Sequence, residues 1–122
     1  MNNQEAFDIM VQHLRNQGKQ SRLVNSTICA YRTSDGLKCA VGALIPDEMY
    51  SNKMEMIGIY NLVVNSNDFS ELGELFTNIN LELLSEMQNI HDSIVRPDRW
   101  ERRFRLLAKK YGLKYTPPET SK

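Results

Sequence analysis

The chain has 122 residues, 41% of them apolar and 25% charged, with fifteen Lys and Arg balancing fifteen Asp and Glu to a formal charge of zero. This mixture excludes a disordered chain, which would lack the apolar surface to offset its ordering entropy. No apolar run approaches the roughly 20 residues needed to cross a bilayer, and the N-terminus lacks the basic-then-apolar pattern of a signal peptide. The expectation is a cytoplasmic domain with one core over residues 1–115, followed by a flexible tail at 116–122.

Taken in order, Asn3 to Gln17 reads as a helix. Phe7, Met10, Val11 and Leu14 fall at i, i+3, i+4 and i+7, one apolar stripe, and Gly18 can adopt the left-handed conformation that closes a helix. Lys19 to Asn25 is a polar connector. Thr27 to Thr33 is rich in β-branched and aromatic residues and runs into Ser34-Asp35-Gly36, the pattern of a short extended segment entering a turn.

Leu37 to Ile45 then supports two readings, the second strand of a hairpin near residues 27–40 or a short buried helix ended by Pro46. Two alanines and few β-branched residues favour the helix. Gly42 disfavours either regular element, unless another backbone must approach it closely. Pro46-Asp47-Glu48 resembles the first turn of a further helix, with its carboxylates at the positive end of the dipole.

From Tyr50 onward the apolar positions are irregular, and a short helix is expected from about Ile59. Asp68 with Glu71 predicts a capping-box start for another. Asn78 to Ser93 carries Leu83, Leu84, Met87 and Ile90 at helical spacing. Asp98, with Glu101 three residues on, predicts a capped final helix whose Trp100, Phe104, Leu107 and Tyr111 form a core stripe, ended by Gly112. The sum is a mainly α domain of four to six helices with at most one short β-hairpin.

The charges are segregated. Met54 to Val95 contains no Lys or Arg, whereas Arg96 to Lys114 contains eight basic residues against Asp98 and Glu101. Either the two regions neutralise each other, within the fold or across a homodimer, or one face docks a charged partner. The candidate binding residues are Arg99, Arg102, Arg103, Arg105, Lys109 and Lys110. A helix so decorated can lie against phosphates, although nucleic-acid modules are usually basic overall.

Cys39 and His91 are the weak catalytic candidates, since a thiol becomes a nucleophile when a base lies beside it. The competing reading makes Cys39 a small buried hydrophobe among Ala40, Val41 and Gly42. The two cysteines, Cys29 and Cys39, do not form a disulfide framework, and with His13 and His91 they lack the paired spacing of a zinc site. No phosphate-binding glycine loop is present, and no metal or other cofactor is called for.

Asp35-Gly36-Leu37-Lys38-Cys39-Ala40-Val41-Gly42-Ala43-Leu44-Ile45-Pro46-Asp47-Glu48, preceded by Tyr31-Arg32, resembles a signature of small uncharacterised proteins encoded by bacteriophages and prophages. Met87 to Asp92 and the Trp100 to Leu113 helix are similar to the same family's C-terminal half, so the likeness runs from about Phe7 to Leu113. Some relatives carry a second cysteine after the glycine where this chain has Ala43, which weakens any two-cysteine mechanism. The resemblance implies no particular chemistry. It implies a phage accessory protein that binds a host protein, another macromolecule or a small ligand, with inhibition of a bacterial defence system as one form. A cysteine-dependent hydrolase and a nucleic-acid-binding protein are the alternatives.

Overall fold

The structure, a computed structural model, describes residues 1–22, 30–55, 57–64, 68–94 and 96–118. It is mainly α, with no sheet among the described residues. The α-helices are α1 (Asn3–Gln17), α2 (Ile59–Val63), α3 (Ser70–Leu75), α4 (Leu81–Ser93) and α5 (Trp100–Tyr111). Short 3-10 turns at Gly42–Leu44, Asp47–Met49, Asn52–Met54 and Pro97–Arg99 carry the chain between them.

Helix α1 has the expected bounds. Asn2 accepts the Glu5 amide and Glu5 reaches back to the Asn2 amide, so two otherwise unpaired donors are satisfied. At the far end Gly18 takes φ 66°. The buried stripe of Phe7, Met10, Val11 and Leu14 faces the 42–44 turn. Helix α4 packs against both α2 and α5. Leu83, Leu84 and Met87 from α4 meet Trp100 and Phe104 from α5 in the same fully enclosed core as Cys39, Ala40 and Val41.

Residues 37–45 are neither of the two expected elements throughout. Arg32 and Lys38 form a single antiparallel bridge, and the Thr33 amide donates to the Leu37 carbonyl across a turn that uses Gly36 at φ 90°. The remainder of the expected first strand, 27–29, lies outside the described residues. Beyond the bridge the chain coils inward, and only Gly42–Leu44 is helical, as a 3-10 turn. Here the Tyr31 backbone lies so close to Gly42 that no side chain would fit at that position. Met49 and Tyr50 then follow the expected turn at Pro46.

Three expected helix starts are corrected. Helix α3 begins at Ser70 with Phe69 as its cap and no capping side chain, so Asp68 and Glu71 do not form a box. Helix α4 begins at Leu81 rather than Asn78, because Asn80 takes an extended conformation and its side chain accepts the amides of Glu82 and Leu83. The Asp98–Glu101 box is also absent. Asp98 is held by Arg96 at 2.9 Å, Glu101 by Arg15 at 2.6 Å, and a 3-10 turn leads directly into Trp100. Ionised partners outcompete an amide for these carboxylates.

Glu101 therefore ties α5 to α1, and the tie extends to the C-terminus. Arg15 donates two hydrogen bonds to Glu101 and a third to the Thr116 carbonyl, while the Tyr115 hydroxyl donates to Glu101. Gln4 adds a reciprocal pair to the Lys114 backbone. The chain thus stays attached through Thr116, one residue into the expected tail, of which 119–122 lie outside the described residues.

Candidate functional site

The stretch from Tyr31 to Glu55 is organised by backbone recognition. Glu55 accepts the amides of Tyr31 (2.9 Å) and Arg32 (3.1 Å) and the Tyr50 hydroxyl (2.6 Å). Burial, then the nearby Glu55, pushes the Tyr50 hydroxyl up to about 12, so it stays a donor at neutral pH. Arg32 reaches Asp47 at 2.7 Å, donates to the Ile45 carbonyl and lies over the Tyr50 ring, 4.8 Å from its centre. Tyr31, Arg32, Asp47 and Tyr50 are thereby locked to one another. Their chemistry is consumed by the fold.

Cys39 is fully buried, and its sulfur accepts the Gly42 amide at 3.3 Å. Burial pushes the thiol up to about 12, the Gly42 hydrogen bond opposing this only in part. A nucleophile needs access and a thiolate, and this thiol has neither.

His91 is equally buried and its ring is fully engaged. Nε2 accepts the Ser21 amide at 2.8 Å, which makes Nδ1 the protonated nitrogen, and Nδ1 donates to Asp92 at 2.7 Å. Neither nitrogen is left for the Cys39 thiol. Ser21, His91 and Asp92 have the residue types of a hydrolytic triad, but it is the Ser21 amide that meets the ring. Ser21 Oγ instead donates to the Ala30 carbonyl at 2.8 Å. Gln20 completes the join by donating to the carbonyls of His91 and Asp92 at the end of α4. This constellation fastens the connector after α1 to α4.

The basic residues are placed differently. Arg99, Arg102, Arg103, Arg105, Lys109 and Lys110 are all exposed. Lys110 pairs with Glu86 at 2.8 Å, the single ion pair among the described residues that joins the acidic middle of the chain to the basic helix. No other member of the set has an ion-pair or hydrogen-bonded side-chain partner among the described residues.

The set is also divided in space. Where α4 ends and the 97–99 turn brings the chain back into α5, an open groove of about 640 Å³ is formed. Arg96, Arg99, Arg102 and Arg103 line it together with Ser93 and Ile94. Arg105 and Lys109 take no part in the groove lining. Arg96 was legible only as part of the break before α5, and no local pattern marks it as a fourth arginine of one cleft.

Four guanidinium groups share this groove with one carboxylate, that of Asp98, which is committed to Arg96. Such an arrangement can hold carboxylate or phosphate oxygens in forked hydrogen bonds. Compared with known protein families, curated proteins and solved structures, the chain matches none. Among the described residues no group of three or more His, Cys, Asp and Glu is placed to hold a metal ion, and no helix is long and apolar enough to cross a membrane.

Proposed function

We propose that this chain is an accessory protein of the phage kind that acts by binding a host macromolecule, with the arginine groove as the contact surface. The observation that carries the proposal is that Arg99, Arg102 and Arg103 converge on one groove without an ion-pair partner among the described residues, the groove's one carboxylate, Asp98, being paired with Arg96. Gathering like charges costs folding energy, and an incoming anionic surface relieves that repulsion while being steered toward it. Arginine is also the charged residue most suited to interface centres, because its planar group stacks and forks at low hydration cost.

The burial of Cys39 and the engaged ring of His91 support binding over catalysis. Blocking a component of a bacterial defence system is the narrower form of the same proposal. Arg105 and Lys109, exposed beyond the groove, favour nucleic acid as a second reading.

Affinity capture from bacterial lysate tests the proposal, using the wild type beside an Arg99→Glu, Arg102→Glu, Arg103→Glu variant. A discrete host component retained by the wild type and lost from the variant is the expected result. Retention of background proteins alone, or equal retention by both, contradicts it.

A further inference from the structure

We propose that the groove accepts an acidic protein segment carrying one large apolar anchor residue; this deepens the binding proposal above and rests on it. Arg103 lines two hollows at once. One is the arginine groove, and the other is a hollow of about 200 Å³ between α4 and α5, lined by Ile90, Leu106 and Leu107 together with Glu86, Asn89 and Lys110.

The two hollows differ in chemistry. In the second, Lys110 is already neutralised by Glu86, and Leu106 stands 49% exposed beside the buried Ile90 and Leu107. A ligand lying along both meets the unpaired arginines at one end and, past Arg103, the exposed face of Leu106 beside a neutralised Lys110–Glu86 pair at the other. From Arg99 to Lys110 the helix rises about 16 Å, the length of about five extended residues.

A phosphate backbone matches this surface poorly. Its charges recur evenly, so part of the strand would lie over Leu106 and beside the Glu86 carboxylate without gain. Single-stranded bases are normally held on exposed aromatic faces. Neither hollow is lined by an aromatic residue, and nearby Trp100 is only 2% exposed. The whole chain is also neutral, which leaves little long-range attraction for a polyanion. A peptide places two carboxylates against Arg99, Arg102 and Arg103 and one Leu, Met or Phe against Leu106. Arginine flanking an apolar anchor is the usual composition of an interface centre.

Selection of a displayed random-peptide library on the intact protein tests this. Enriched peptides should carry at least two Asp or Glu near one large apolar residue. Binding of the best synthetic peptide should fall about tenfold or more in Leu106→Ser and in Arg102→Glu with Arg103→Glu, as expected for interface-centre residues. Leu106 is half exposed, so Leu106→Ser should keep the wild-type thermal transition; Leu106→Gln, with its higher helix propensity, is the second variant. The inference is overturned by enrichment without acidic residues, by indifference to both Leu106 variants, or by no enrichment. A thymidine 20-mer that outbinds every selected peptide, with affinity falling steeply in salt, overturns it in favour of nucleic acid. Arginine-dependent capture from lysate combined with a failed selection leaves the binding proposal standing and removes this one alone.

Discussion

The Tyr31 carbonyl oxygen lies 2.0 Å from the point where a Cβ on Gly42 would stand. Two features of the sequence meet at this spot, the run of small residues around Cys39 and the aromatic-Arg pair before the turn. The Tyr31 backbone passes so close that the Cys39 amide donates to the same carbonyl at 3.3 Å.

Gly42→Ala is therefore expected to destabilise the protein by about 3 kcal/mol or more, at the upper end of overpacking costs, because a backbone oxygen and not a flexible side chain must move. Gly42→Leu should not fold. Gly58, at φ −63° with no atom of the described residues within 4 Å of the point where its own Cβ would stand, is the control. Gly58→Ala should stay within about 0.5 kcal/mol of wild type. Urea melts of the three variants check both statements.

Cys39 should behave as a core residue. In a Cys29→Ser background, where one thiol reports, a thiol probe at neutral pH should leave the native protein unlabelled and label it on denaturation. Cys39→Ala should fold and retain the wild-type binding partner. Rapid native labelling, or a folded Cys39→Ala that has lost its partner, contradicts the assignment.

Acid should loosen the join between α1, α5 and the C-terminal segment. Burial raises the Glu101 carboxyl, but the hydrogen bonds from Arg15 and Tyr115 and the charge of Arg15 outweigh it, leaving Glu101 below the usual carboxylate range. Hydrogen bonds from Lys110 and Tyr111 hold Glu86 low as well. A carboxyl depressed in the native state stabilises the fold above its unfolded value, about 4.3, and that contribution is lost as pH falls through the lower native value. Stability measured by urea melts should thus decline below about pH 4, and Glu101→Gln should flatten the decline while lowering stability at pH 7. An unchanged pH profile in Glu101→Gln contradicts this.

The helices with continuous stripes were legible because burial repeats every three to four residues. Asn3–Gln17 needed nothing more than Phe7, Met10, Val11, Leu14 and the Gly18 stop. The capping box at Asp98 does not form because such a box is a local pattern, whereas Asp98 and Glu101 answer to stronger partners, Arg96 and Arg15; at Asp68 the helix simply starts one residue past Phe69 with no capping side chain. Arg15, the partner of Glu101, is 86 residues away, and Ser21, the partner of His91, is 70 away. Nothing near either residue announces the pairing.

The groove was half legible. The basic residues of α5 stand out in sequence, but spacing alone treats Arg105 and Lys109 like Arg102 and Arg103. The end of α4, Arg96 and the 97–99 turn decide which of them share a cleft, and that arrangement is tertiary.

The central claim is that position in the groove, and not charge on the helix, carries binding. One titration separates the two: the partner captured from lysate against wild type, against Arg102→Glu with Arg103→Glu, and against Arg105→Glu with Lys109→Glu. Both variants change the net charge equally. The groove pair should weaken binding about 100-fold, roughly 2.8 kcal/mol, and the outer pair by less than about tenfold. Equal losses from the two pairs, or a larger loss from the outer one, would contradict the account.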